Sequence, residues 1–456
     1  MPDYKSYGQI EIGDKTLSKR VEKTLNQLGS NPEASISSAC KNPHQAKAVY
    51  RLLSNSKFGV EPLLAISRQE TIRRISESGA KVVLLPQDTT TLNYSGLKQT
   101  EGLGSISRIE KNSGILLHSS IAVAEDGQPL GLLATKMWTR PKEEMGKKSL
   151  RKQLPISEKE SNKWLETLDS ADIRSALPDV QFIHLCDREG DLYEFFAKAY
   201  NDDASYICRR AQNRVVLNKD SQESTLINEF LESLPVAGKI AVEVPDGSHK
   251  KRNAMLEVKY GTISIAKPAT LSTNKSLPGL VEVTLVMAQE VHPPKGTDAI
   301  SWHLVTNAQV NTFDEAITCV QRYTKRWKIE TFHYVLKSGC KIEKQQSDSV
   351  EKLMKLVALY SIIALQIMIL TFMARTNPDQ SCEVYFEEAD WKILYKVANK
   401  TKSLPATPPT IKDAVLLVAK LGGFLARKSD GDPGVTVIWR GLSSLSSILD
   451  AALFLA

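Results

Sequence analysis

Between Lys355 and Arg375 the chain reads LVALYSIIALQIMILTFMA, an apolar run long enough to cross a bilayer and interrupted only by Ser361, Gln366 and Thr371. A helix of this composition cannot lie on a water-exposed surface, so the fold must either bury it on every side or place it in lipid. With 456 residues and 42% hydrophobic content, the chain can build a core large enough for the first option. A lone span this late would be odd, and the opening MPDYKSYGQIEIGDK has no basic segment leading into an apolar stretch. The run from Leu356 to Ala374 is therefore expected to be a core helix, with no membrane as partner.

The charge is mildly basic, at +7, which permits a polyanionic partner without requiring one. The six cysteines contain no Cys-x-x-Cys pair, against a zinc ribbon or disulfide framework and in favour of a reducing cytoplasm. The first 60 residues hold nine Lys or Arg against five Asp or Glu, on short predicted helices. In DKTLSKRVEKTLNQLG, Leu17, Val21, Leu25 and Leu28 share a face, Asp14 is the expected N-cap and Gly29 the expected stop. Asn42-Pro43 is the expected start of a second helix.

From about residue 71 the pattern becomes α/β. KVVLLPQD reads as a buried strand ending in Asp88, and QFIHLCD as another ending in Asp187. Between them lies a predicted hairpin turning at Asp126-Gly127, then a polar helix through EKESNKWLETL. From Ser205 to Thr306 short strands separated by Gly, Pro and Asn read as an antiparallel insertion. After Asn311 the pattern is helical, and it closes with Trp439, Leu442, Leu445, Leu449 and Leu453 at helical spacing. Such a terminal helix either packs within its own chain or on a partner.

YTKRWKIETFHYVLKSG holds the densest chemistry. As one continuous helix it would place Tyr323, Arg326, Glu330 and Lys337 within roughly 60° of one face, while Trp327, Ile329, Phe332, Val335 and Leu336 pack elsewhere. An exposed salt-bridged helix would use the same residue types. A strand-end aspartate alone is commonly a turn or cap. Three carboxylates, however, are hard oxygen ligands able to hold a divalent metal pair for phosphoryl transfer, with cations beside them to grip a phosphate.

The spacing Tyr323-x2-Arg326-x3-Glu330-x6-Lys337 matches the Y-(2)-R-(3)-E-(6)-K signature, and the chain resembles the insertion sequence four family of transposases, the Tn five type in particular. Further segments match in order: QDTTTLNY with Asp88, LGSI, MWTRP, EKESNKWL, CDREGD with Asp187, PPKG followed by Trp302, and LGGF. The resemblance implies an α/β fold with an RNase H-like mixed-sheet catalytic core and an antiparallel β insertion, flanked by helical N- and C-terminal domains. The expected limits are 1–70 for a DNA-end-binding domain, 71–375 for the core with its insertion at about 205–310, and 376–456 for dimerisation.

The family's roles carry over residue by residue. Asp88, Asp187 and Glu330 would be the catalytic metal ligands, holding two Mg2+ ions that Mn2+ can replace. Tyr323, Arg326 and Lys337 would contact phosphates near the cut. Trp302 would stack on a flipped base, although Ile300, Trp302 and Leu304 also alternate like a strand's buried face. Arg209 would lie near the terminal nucleotides, His333 would be a secondary DNA contact, and Lys19 and Arg20 lie near the end-binding positions. Tyr334 departs from the pattern, standing where the Tn five type has a second lysine.

The implied activity is cut-and-paste transposition: hydrolysis at the transposon end, hairpin formation and resolution, and strand transfer into target DNA. The implied partners are double-stranded transposon ends with terminal inverted repeats, target DNA and a second protomer in a synaptic homodimer. The implied location is the bacterial cytoplasm, at the nucleoid when DNA is bound. Rival readings are a relative that binds DNA without cutting and a stand-alone metal nuclease.

Overall fold

The structure, a computed structural model, describes residues 4–9, 12, 14–40, 42–107, 112–141, 154–169, 171–218, 223–245, 251–427 and 430–455. Its strands are β1 (Val82–Asn93), β2 (Gly104–Ser105), β3 (Ser113–Ala124), β4 (Pro129–Trp138), β5 (Gln181–Cys186), β6 (Ser205–Arg209), β7 (Val215–Asn218), β8 (Ser224–Leu226), β9 (Gly238–Pro245), β10 (Lys251–Ala266), β11 (Leu280–Glu290) and β12 (Ser301–Thr306). Two compact units are formed, one from residues 1–79, 89–148 and 328–456, the other from 80–88 and 149–327. β1 contributes its first part to the second unit and its last residues to the first.

The hydrogen-bonded order β4-β3-β1-β5-β6 is an RNase H-like mixed sheet, with β3 and β4 antiparallel and β5 parallel to both β1 and β6. Asp126-Gly127 makes the expected hairpin turn: Gly127 has a φ of 96°, and the Gln128 N–H donates to Asp126 Oδ1 at 2.9 Å. Two strand expectations are corrected. β1 does not end at Asp88 but continues through Thr89, Thr90 and Thr91 to Asn93, because β-branched residues extend a ladder readily. β6 pairs in parallel with β5, so it belongs to the core, and the antiparallel run begins after Arg209. The helix Tyr193–Asn201 between β5 and β6 supplies the crossover that parallel pairing requires.

In the second unit, β12, β11 and β10 continue the sheet as antiparallel neighbours, and β9 extends from β10 as a ribbon. One apolar cluster gathers Tyr193, Phe195, Phe196 and Tyr206 with Val283 and Leu285. Another gathers Ile183, Leu185, Leu256, Val286 and Leu304 with Ala316, Cys319, Val320 and Tyr323 of the helix Phe313–Thr324. That helix starts at Thr312 with a full capping box closed by Glu315.

In the first unit, the helix Val350–Thr376 settles the question its sequence raised. Its most apolar stretch is 89% buried inside the protein, so it is the core helix expected. Lys355 caps its neighbour, donating to the carbonyls of Leu53 and Asn55 at 2.9 Å each, at the end of the helix Pro43–Ser54. Gly131 of β4 has the helix Val60–Ser78 pressed against it, and a Cβ there would collide with Thr71. Asp14 and Asn42 cap their helices as expected, accepting from Thr16 N and Gln45 N. Gly29 does not end its helix, which runs to Ser30; it makes room for the buried Tyr4 ring. On the last helix, Val435–Leu455, Trp439, Leu442, Leu445 and Leu449 are buried, and the Leu453 side chain lies outside the described residues.

Leu356 is wholly buried on the central helix. Leu356→Ala is expected to destabilise by about 2–5 kcal/mol, the usual range for a core Leu→Ala cavity. Leu404→Ala, at an exposed loop position, is the control and should leave the urea midpoint unchanged.

Candidate functional site

The site in the second unit is built by strand register. β1 and β5 pair from Val82↔Gln181 to Pro86↔Leu185, and β5 and β6 from Ile183↔Ser205 to Cys186↔Cys208. Two residues beyond Pro86 and Leu185 come Asp88 and Asp187, and one beyond Cys208 comes Arg209. The two ladders therefore bring Asp88, Asp187 and Arg209 to the same end of β5, on three neighbouring segments of the sheet. Arg209 is in turn paired with Leu304 of β12, two residues from Trp302.

Asp187 leaves β5 as the N-cap of a short turn, Arg188–Gly190, and its Oδ1 accepts from the Glu189 N–H at 2.8 Å. Burial pushes its carboxyl above the usual range; the Glu189 N–H and the charges of Arg326 and Lys163 act the other way, and the Glu189 carboxylate adds to the rise. Cys208 Sγ, one strand over, donates to the Asp187 carbonyl at 3.4 Å. Arg209 is held by a 3.0 Å hydrogen bond from Nη2 to the Ser301 carbonyl. Burial lowers its guanidinium pKa, and the neighbouring charges of Arg188 and Arg326 act in the same direction. Tyr323 is only 5% exposed, and burial raises its phenol well above the ordinary value. Asp187, Arg209, Tyr323 and Arg326 thus lie within one another's electrostatic reach.

Arg188 joins this cationic group and carried no role in the sequence, because an exposed arginine in a turn has no periodicity to mark it. Behind it, Arg210 Nη2 lies 2.8 Å from His303 Nδ1, and burial with the surrounding arginines lowers the His303 pKa to about 4.

The expected stripe is not one helix. The helix Phe313–Thr324 ends before Arg326, a second runs Trp327–Tyr334, and Val335–Gly339 is a π-turn. A π-turn inserts a residue into the helical phase, so the facing computed for a uniform helix does not extend to Lys337. Trp327, expected to pack inward, is 64% exposed.

In the first unit, Glu330 lies on the helix Trp327–Tyr334 and is half-buried. Lys337 is half-buried on the π-turn, and burial lowers its pKa. His333, expected to contact DNA, is instead 6% exposed beside Phe332, and burial together with Lys337 lowers its pKa to about 3. A neutral interior imidazole is not an open phosphate contact. Tyr334 spans to the last helix, with its hydroxyl 3.2 Å from Thr436 Oγ1 and its ring 5.7 Å from that of Trp439.

Lys19 is exposed and Arg20 half-exposed on the helix Lys15–Ser30. The helix Pro43–Ser54 presents Lys47, Tyr50 and Arg51 to solvent along a cleft of about 740 Å3, a face not singled out in the sequence. Among the described residues, no group of three or more His, Cys, Asp or Glu is gathered to hold a metal ion. Trp302 is half-buried against the cluster containing Leu304.

Residues 5–58 match the family model described as transposase DNA-binding, and residues 362–455 the one described as Transposase Tn5 dimerisation domain. The chain is similar to Tn5-type transposases near both of its ends. It carries a DNA-binding segment and a dimerisation segment, in keeping with the insertion sequence four family. Among solved structures, one titled "Cryo-EM structure of piggyBac transposase synaptic complex with hairpin DNA (SNHP)" is similar at 8% identity and a TM-score of 0.36, over 99% of this chain and 78% of that one. A likeness that slight adds nothing to the family assignment.

The raised Asp187 pKa has a stability consequence with a definite sign. The folded state holds the Asp187 proton more tightly than the unfolded chain, so ionising this group opposes folding once the pH exceeds the unfolded value near 3.8. Asp187→Asn keeps an oxygen for the Glu189 N–H. It is expected to raise the thermal midpoint at pH 7, with the gain shrinking as the pH falls through the carboxylate range. An unchanged or lowered midpoint at pH 7 would contradict the assigned cause.

Proposed function

We propose that this Tn5-like transposase performs cut-and-paste DNA transposition with Asp88, Asp187 and Glu330 as its catalytic acids. The supporting observation is the row of Asp88, Asp187 and Arg209 on three adjacent strands, with Tyr323 and Arg326 in the electrostatic field of Asp187. Glu330 enters on chain continuity and on its place in the Tyr-Arg-Glu-Lys spacing, four residues past Arg326.

The donor chemistry fits a hard divalent cation. Two carboxylates lie just past the paired part of adjacent strands, and burial has raised the pKa of one, which an incoming cation would oppose. Asp88, Asp187 and Glu330 would hold two Mg2+ ions, with Mn2+ able to replace them. Such ions supply activation of water or a 3′-hydroxyl and neutralise charge on the departing oxygen.

The chain's own cations do the positioning. Arg209, Arg326 and Arg188 hold the phosphodiester beside the acids, and phosphate contacts of this kind set register rather than sequence preference. Beside the buried Tyr323 and Cys208, a guanidinium on phosphate is stronger than in water. Lys337 is carried as a further phosphate contact. Trp302, half-buried at the edge of the row, is assigned to stack on a base displaced from the duplex, which favours a strained hairpin end.

The course is hydrolysis at the transposon end, attack of the exposed 3′-hydroxyl on the opposite strand to form a hairpin, reopening by water, and attack of the freed 3′-end on target DNA. Each step is an in-line phosphoryl transfer, so one set of residues serves them all. Terminal inverted repeats are read by the N-terminal helices, where Lys47, Tyr50 and Arg51 join Lys19 and Arg20 as candidates, and two protomers synapse through the C-terminal segment. We place this work in the bacterial cytoplasm at the nucleoid.

Glu330→Gln is expected to bind transposon-end DNA like the parent in gel-shift assays, while nicking and strand transfer with Mg2+ disappear. Cleavage at the parental rate would remove Glu330 from the acids. Trp302→Ala should nick normally and accumulate nicked ends in place of hairpins; an unchanged hairpin yield would end the stacking role.

A further inference from the structure

The motif EKESNKWL has so far carried no chemistry, yet its second lysine lies next to the turn that bears Asp187. Lys163, on the short helix Asn162–Glu166, is only 6% exposed. Its Nζ donates to Glu189 Oε2 at 3.1 Å and lies 5.9 Å from the ring centre of Trp164. Lysine is seldom buried, because desolvating an ammonium is costly unless a partner compensates for it. Here the partner side chain is 66% exposed, so screening by water weakens the pair as a source of stability.

What the pair does accomplish is geometric. Glu189 donates its backbone N–H to Asp187 Oδ1 while its side chain is tied to Lys163. The same turn rests on Trp164, which is wholly buried. A Cβ at Gly190 would meet Cys186 Cβ at 2.7 Å and the Trp164 ring at 3.3 Å, so the turn has no slack on that side. The turn that begins at Asp187 is thus packed on Trp164 at Gly190 and tied to Lys163 through Glu189.

We propose that Lys163, acting through Glu189, is a positioning residue that sets the direction of the Asp187 carboxylate for divalent-cation binding. This rests on the metal role proposed above for Asp187. It differs from simple charge balance in the sign of its consequence. Deleting a nearby positive charge tightens cation binding. Deleting a strut that orients a ligand weakens it, typically about 10–100-fold.

The test is Mn2+ titration of the full-length protein without DNA, reading free Mn2+ by electron paramagnetic resonance, with gel shifts in EDTA and thermal midpoints alongside. Lys163→Gln and Glu189→Gln are each expected to weaken Mn2+ binding about 10–100-fold. Both should leave end binding in EDTA unchanged, and Lys163→Arg should restore most of the affinity. Glu189→Gln removes a negative charge and weakens cation binding on either account, so the sign of the Lys163→Gln effect at an unchanged thermal midpoint, with its rescue in Lys163→Arg, decides between them. Parental or tighter Mn2+ binding in Lys163→Gln, with Asp187→Asn clearly weakened, would overturn the positioning role alone. Parental Mn2+ binding in Asp187→Asn would overturn the metal role and this inference with it.

Discussion

Everything at the site depends on one register. β1 and β5 pair in parallel without a slip over five residues, and β5 and β6 do the same over four. A one-residue shift in either ladder would turn every side chain on the moved strand to the opposite face. Because the strands are buried and apolar on both faces, register here is held by packing from two sides. Asp88, Asp187 and Arg209 come from places far apart in sequence, and no local preference could align them. The ladder does so, and the helix Tyr193–Asn201 makes that ladder topologically possible.

The electrostatics follow from this placement. A carboxylate and several guanidiniums lie close together where water is partly excluded, and each charge costs more alone than beside its neighbours. Arg209 is depressed by burial and by Arg188 and Arg326, so it sits in surplus positive potential. A polyanion entering that region meets cations whose mutual repulsion it relieves. The chain's modest net charge of +7 conceals this concentration, which is why composition said little about DNA.

Much of the fold was legible in the sequence where the cause was local. Asp14, Asn42 and Asp126-Gly127 act as capping and turn chemistry requires. The apolar stretch of Val350–Thr376 is a core helix because its sides leave it no other soluble arrangement. Legibility failed where tertiary structure overrode a local rule. Asp88 reads as a strand end, since Pro and Gln precede it, yet sheet pairing carries the strand on to Asn93. Tyr323 to Lys337 reads as one stripe only if the helix is uniform, and a break before Arg326 and a π-turn after Tyr334 cannot be seen in a periodicity count. Trp327 and His333 exchanged their expected environments, one exposed and one buried, for the same reason. Lys163 was hidden because a lone lysine in a polar segment is nearly always solvated.

The contact of Tyr334 with Thr436 and Trp439 gives the C-terminal segment a second task. Gly339, at the end of the π-turn, sits so close to Trp439 that a Cβ would fall 2.8 Å from its ring. The stretch that carries Glu330 is therefore clasped at Tyr334 and again at Gly339 by the helix Val435–Leu455, which lies in the segment matching a dimerisation domain. Shortening the chain at its end would remove more than the means of pairing protomers. It would also loosen the frame of an acid more than a hundred residues upstream, so a truncated chain loses stiffness and partner together.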